Sequence, residues 1–191
     1  MAAQTKVSLA SVASRALDDL SDVFRRLAPG AEAGLVDAIA AARRIAVYGG
    51  GREGLQIQGF AMRLSHLGLD AHVVGEMSAP PIGPGDLLVV STGSGASPIG
   101  DTLIDVAREA GATIAVVTAQ PRGRTPARAD VVFHIPAQTM AEDHGGELLA
   151  LPAGSLFETA QMMLFEIIIV ALRERLDETA ETMRRRRSNL E

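Results

Sequence analysis

The chain has 191 residues, 18 basic and 23 acidic side chains for a net charge of −5, 47% hydrophobic residues, 3% aromatics, and neither Cys nor Trp. That length suits one domain with a sizeable core, and the missing cysteine excludes a disulfide framework, a cysteine-ligated metal and a thiol nucleophile. Lys6 is the only lysine, which argues against Schiff-base chemistry and a Walker-type phosphate loop, while the acidic balance and scarce aromatics argue against nucleic-acid binding.

Taken in chain order, Val7 to Leu27 repeats apolar residues every three or four positions, predicting a helix. Pro29-Gly30 breaks it, and Ala31 to Arg43 resumes as a second. The period then changes. Arg44 to Tyr48 is a short apolar run ending at Gly49-Gly50-Gly51, which suits a buried strand. Gly54 to Leu67 reads as a helix and Ala71 to Val74 as a second strand.

Turn chemistry over Pro80 to Gly85 precedes a third strand, Asp86 to Val90. Its loop, Ser91 to Ser97, leads into a helix over Pro98 to Ala110, closed by Gly111. Thr113 to Thr118 and Val131 to Ile135 are the fourth and fifth strands. Pro136 to Ala153 is one long loop, a length often associated with function. Gly154 to Leu176 is a long apolar helix, and a charged tail ends the sequence.

Strands alternating with helices predict an α/β fold: a three-layer sandwich with a five-stranded parallel sheet, preceded by N-terminal helices. A single domain is expected, with helices over 1–43, the core over 44–176 and the tail over 177–191. Within Leu156 to Leu172, Glu158, Gln161 and Glu166 interrupt the apolar run, so it suits a buried core or oligomer helix better than a membrane span. Met1 to Lys6 does not resemble a secretory leader. A cytoplasmic protein without a membrane partner is expected.

Ligands of open parallel sheets bind beyond the carboxyl ends of the strands. Two loops fall there. Gly49-Gly50-Gly51-Arg52-Glu53-Gly54 fits G-x-G-x-x-G between a strand and a helix, with Glu76 available as a ribose-binding acid, so a dinucleotide remains open. The alternative is glycine serving tight packing. The second loop sets Thr92, Ser94 and Ser97 among Gly93 and Gly95, just before a helix start. Backbone N–H groups there, with hydroxyls beside them, would hold a phosphate without lysine; the bland alternative is a serine N-cap.

Several blocks occur together in order: Val47-Tyr48-Gly49-Gly50-Gly51-Arg52, Phe60-Ala61-Met62-Arg63-Leu64, His66-Leu67-Gly68, Val74-Gly75-Glu76, Thr92-Gly93-Ser94-Gly95, Gly154-Ser155-Leu156-Phe157-Glu158 and Asn189-Leu190-Glu191. Over nearly its whole length the sequence resembles the 6-phospho-3-hexuloisomerases of the sugar-isomerase (SIS) domain superfamily. The resemblance implies a flavodoxin-like fold whose ligand is a phosphorylated sugar, with no metal and no cofactor. It implies interconversion of fructose 6-phosphate and arabino-3-hexulose 6-phosphate, in a homotetramer (or homodimer) with sites at subunit boundaries.

Moving a carbonyl from carbon 2 to carbon 3 needs a base for the carbon-3 proton and stabilisation of the cis-enediol. The resemblance makes Glu158 that base. Without it, Ser155 and Glu158 read as S-x-x-E, a capping box. Gly51, Arg52, Glu53, Thr92, Gly93, Ser94, Ser97 and Arg63 are the expected substrate- and phosphate-binding residues. Glu158, Arg187 and His66 are the expected catalytic ones. His66, three residues beyond Arg63 on one helical face, has packing as its plain alternative. His144 lies in the long loop.

Three departures from the family stand out. Glu53 replaces the usual Ser, and a carboxylate there would repel phosphate unless it turned away or paired with Arg52. Ala96 replaces a charged residue. Arg187 stands where the family usually has His, and arginine can stabilise an anion but cannot relay a proton. Arg187 is therefore expected as a clamp on a neighbouring subunit's site, or else as one of the helix-terminal charges Arg184 to Arg187. An isomerase of another phosphosugar and a non-catalytic sugar-phosphate sensor are the competing readings.

Overall fold

Five parallel strands, β1 (Ile45–Gly49), β2 (Ala71–Val73), β3 (Leu87–Ser91), β4 (Thr113–Thr118) and β5 (Val131–His134), pair side by side in the order β2-β1-β3-β4-β5. The computed structural model describes residues 8–142 and 149–190; Lys6 and His144 lie outside them. Around the sheet lie α1 (Leu9–Arg25), α2 (Ala33–Ala41), α3 (Gly51–His66), α4 (Pro98–Glu109), α5 (Ser155–Arg175) and a short α6 (Ala180–Arg185). Three-residue 3₁₀ turns occupy Pro126–Arg128 and Met140–Glu142.

Period-two alternation divides the core. Ile45, Val47, Leu87, Val89, Ala115, Val117 and Phe133 point to one face and pack with α1, α2, α3 and α5. Leu88, Val90, Ile114 and Val116 point to the other and meet Ile104 and Ala107 of α4. All five residues of β3 are buried, as a central parallel strand covered on both faces requires. The three-layer sandwich is thus as expected, although its layers are unequal: among the described residues α4 is the only helix on the second face.

Helix α5 is apolar around most of its circumference and supplies nine buried residues. It is long and apolar enough to cross a membrane by composition, yet its buried side packs against α1, α2 and α3. Phe165 stacks on Phe60 of α3 with ring centroids 4.3 Å apart.

Two boundaries differ from expectation in an informative way. The glycine-rich motif is not a loop before a helix; α3 begins at Gly51, so Arg52, Glu53 and Gly54 form its first turn. A Cβ on Gly54 would sit 2.6 Å from the Gly49 carbonyl oxygen, so glycine here lets helix and strand backbones touch. The tail is also not simply charged coil. Thr179 and Thr182 form a reciprocal capping box that starts α6.

Candidate active site

In the order 2-1-3-4-5 the chain leaves β1 toward one edge and returns past it to β3, so the crossovers after β1 and β3 lie on opposite faces. At such a reversal, outside the carboxyl ends of the two strands, open parallel sheets place their ligand crevice. Gly50 to Gly54 forms one wall and Thr92 to Ser97 the other, with the start of α5 above them.

The serine-glycine wall is pre-built. Thr92 N–H donates to the Val117 carbonyl (2.9 Å), Ala119 N–H to Gly93 O (3.2 Å), and Thr125 N–H to Gly95 O (3.0 Å). Gly95 has φ +71°, and a Cβ on Gly123 would collide with its carbonyl oxygen. Ser97 has both roles of an N-cap: its Oγ accepts from Gly100 N–H at 3.0 Å, and Pro98 follows at the first helical position. Its own N–H donates to Thr125 Oγ1, which in turn donates to Asp101 Oδ1 at 2.8 Å. Burial opposes ionisation of Asp101, but hydrogen bonds from Arg124 and Thr125 and the nearby charge of Arg128 outweigh it and hold its carboxyl below 3.8.

Opposite this wall, Arg52 reaches across to α5. Its Nη2 lies 2.9 Å from Glu158 Oε2 and its Nε donates to Oε1 at 3.2 Å. Weaker contacts reach Ser155 Oγ and the Ala153 carbonyl, both at 3.4 Å. The Glu158 side chain is 13% exposed and Arg52 52%. The capping-box alternative for Glu158 does not form, because the N-cap of α5 is Gly154 with φ +82°, and no side chain caps it. Ser155 lies one residue too far into the helix.

Glu53 does neither of the things expected of it. It does not pair with Arg52 and it does not turn away. Its carboxyl folds onto the neighbouring wall, where Gly93 N–H donates to Oε1 (3.1 Å) and Oε2 (3.0 Å), and Ser91 Oγ is 3.0 Å from Oε2. Burial raises its pKa above 4.5; the bonds from Gly93 and Ser91 only partly offset this, and the charge of Glu158 adds to the rise. Behind it Gln161, fully buried, places Oε1 2.8 Å from Ser91 Oγ and donates from Nε2 to the Glu53 carbonyl at 3.5 Å.

Gly51, Arg52, Glu53, Thr92, Gly93, Ser94, Ser97 and Glu158 therefore lie at the carboxyl ends of β1 and β3 or at the start of α5. Arg63 does not: it is three turns along α3 from the loop and pairs with Glu166 of α5 at 2.9 Å. His66 is buried at the far end of α3, beside the amino ends of the strands. There its carbonyl accepts from Arg186 Nη1 at 3.1 Å, while that guanidinium, paired with Glu178, lies over Gly68. Arg187 belongs to the same exposed tail and is remote from this chain's own crevice. Glu76 accepts from Val73 N–H at 3.4 Å. Ser91 and Gln161 were missed. The available signal was Gln161 itself, a polar residue one turn past Glu158 in an apolar helix.

These features define a doubly wound, flavodoxin-like α/β domain with two carboxyl groups at its switch point. Residues 38–171 match the SIS domain family. The chain belongs to that family. A 3-hexulose-6-phosphate isomerase of Mycobacterium gastri is 37% identical over 174 residues, covering 91% of this chain and 87% of the relative. One of Bacillus subtilis is 34% identical over 160 residues, covering 82% and 85%. The crystal structure of a hypothetical protein from Methanococcus jannaschii, which infers a molecular function of 3-hexulose-6-phosphate isomerase, superposes with a TM-score of 0.79 at 26% identity. It covers 96% of this chain and 98% of that one.

Proposed function

We propose that this chain is a phosphosugar isomerase that interconverts arabino-3-hexulose 6-phosphate and fructose 6-phosphate through a cis-enediol, a step of the ribulose monophosphate pathway. The observation that carries the reading is Glu158, a largely buried carboxylate held by Arg52 over the switch-point crevice, in a chain whose named relatives are 3-hexulose-6-phosphate isomerases. Glu158 takes the proton from carbon 3 and returns it to carbon 2. Arg52 holds both oxygens of that carboxylate, which fixes the orientation a base requires.

The phosphate is assigned to the second wall. Among the described residues the N–H groups of Ser94 and Ala96 meet no acceptor, and Thr92, Ser94 and Ser97 supply hydroxyls beside the start of α4. No step needs a metal or cofactor. Glu53 on the Gly93 amide reshapes this wall relative to a serine, which favours an isomerase of another phosphosugar as the second reading.

Met162, Met163, Ile167 and Val170 are each about half exposed on one side of α5. This supports a homo-oligomer, in which Arg187 clamps a neighbouring copy's site; a monomer by light scattering at assay concentration would overturn it. A cytoplasmic location accords with this chemistry.

The test is NMR of fructose 6-phosphate with the protein in deuterated water. The 3-ketose is expected, with deuterium on its carbon 2 and on carbon 3 of the recovered fructose 6-phosphate. Glu158→Gln is expected to slow turnover by about 10²–10⁴-fold. Exchange through carbon 1 would overturn the regiochemistry, and full activity in Glu158→Gln would remove the assigned base.

A further inference from the structure

A serine hydroxyl has one proton to give. Ser91 Oγ lies 2.8 Å from Gln161 Oε1 and 3.0 Å from Glu53 Oε2, and with an ionised Glu53 both are acceptors. Gln161 Nε2 is already directed to the Glu53 carbonyl. Rotating the amide would free the serine but set Gln161 Oε1 against that carbonyl oxygen, two acceptors face to face inside the core. One arrangement satisfies every group. Glu53 Oε2–H donates to Ser91 Oγ, Ser91 Oγ–H donates to Gln161 Oε1, Gln161 Nε2–H donates to Glu53 O, and Gly93 N–H rests on Glu53 Oε1. Such a chain polarises each bond in one sense.

The charged and titratable groups around Glu53 favour the same state. From its own helix Arg52 is committed to Glu158. From α5 the group that faces it electrostatically is the like-charged Glu158. The β3 loop offers only Ser91 and the Gly93 amide. No cation is paired with Glu53 among the described residues.

We propose that Glu53 is held as a neutral carboxylic acid and moves the hydroxyl proton between the two oxygens of the enediol. This inference rests on the hexulose phosphate isomerase reading. As Glu158 removes the carbon-3 proton, the electron pair forms the C2=C3 bond and leaves an enediolate whose carbon-2 oxygen accepts a hydrogen bond from Glu53, as it could from a glutamine amide; that oxygen then takes the Glu53 proton. The proton on the carbon-3 oxygen then passes to the Glu53 carboxylate as C3=O forms, and Glu158 delivers its proton to carbon 2. Both carboxyl groups end as they began. An arginine such as Arg187 cannot make the oxygen transfer because it does not release its proton. Glu53, partly accessible at the crevice wall, carries a proton that can move.

Glu53→Gln tests this, since a glutamine amide can donate to Ser91 and accept from Gly93 as the neutral acid does. Infrared spectra at neutral pH should show a protonated-carboxyl C=O band in the wild type that is absent in Glu53→Gln and displaced in Ser91→Ala. In deuterated water the variant should form the 3-ketose about 100-fold more slowly or worse, while recovered fructose 6-phosphate still acquires deuterium at carbon 3. The stability readout has a fixed sign. A proton held more tightly in the folded chain stabilises it below the ordinary value of 4.5, and that stability is lost as pH rises through the folded value. The wild type should therefore lose Tm with rising pH relative to Glu53→Gln. No carboxyl band, or Tm differences flat or rising across that window, would overturn the neutral acid. Loss of exchange and turnover together in the variant would overturn the oxygen-transfer role. Absence of any exchange in the wild type would instead defeat the isomerase reading on which it rests.

Discussion

Gly54→Ala puts a single methyl group between two backbones. The new Cβ would lie 2.6 Å from the Gly49 carbonyl oxygen, and the first turn of α3 must lift from β1 by about 0.8 Å to reach ordinary contact at 3.4 Å. Neither partner is a side chain that can rotate away, so the overpacking cost falls near the upper end of its usual range, about 3 kcal/mol. Replacing a helical glycine by alanine returns about 1 kcal/mol. The net is about 2 kcal/mol, which for a chain of this size lowers Tm by about 4–8 °C. Because Arg52 and Glu53 ride on that turn, activity should suffer more than stability, by roughly 100-fold for a displacement near 1 Å. Calorimetry and the isomerase assay, run beside Gly50→Ala, provide the measurement. Gly50 has φ −91° and open space around its would-be Cβ, so that control should melt like the wild type. A Gly54→Ala protein with unchanged Tm and unchanged turnover would refute the close-contact explanation of the motif.

Three further substitutions probe other parts of the molecule. Arg186→Ala should lower Tm by about 2–4 °C and open the tail to proteolysis, since its guanidinium joins Glu178 to the end of α3, whereas Arg187→Ala should leave Tm alone and reduce turnover; unchanged turnover and affinity would remove the clamp. Asp101→Asn should cost about 1–3 kcal/mol near neutral pH, measured by urea titration, and the wild-type advantage should vanish as pH falls through the depressed carboxyl value below 3.8. A difference that persists undiminished in acid would show that charge is not what Asp101 contributes.

Most of the architecture was legible because parallel strands buried on both faces write themselves as short apolar runs. Leu87 to Val90 and Ile114 to Val117 could be little else. The start of α3 was not legible, because three consecutive glycines read as a loop whether or not a helix begins within them; Gly51, with φ +54°, opens the helix. Glu158 and the Thr92–Ser97 loop were placed by motif, and the structure brings them together. Arg63 and His66 were carried along by the same resemblance, but a helix that starts at the crevice must end far from it. Gln161 registered only as an interruption of an apolar run, because its importance depends on Ser91 and Glu53, neither of which is near it in sequence.

That last distance has a consequence for how the protein can be assayed. The hydrogen bonds that join Ser91 to Glu53, Ser91 to Gln161 and Gln161 to Glu53 span 38, 70 and 108 residues of chain. No short fragment or local nucleus contains all three, and each closure costs conformational entropy before the ring returns anything. Turnover can thus be used as a gauge of complete folding: in a refolding experiment it should recover with the last structural phase, after helicity and sheet content are already in place.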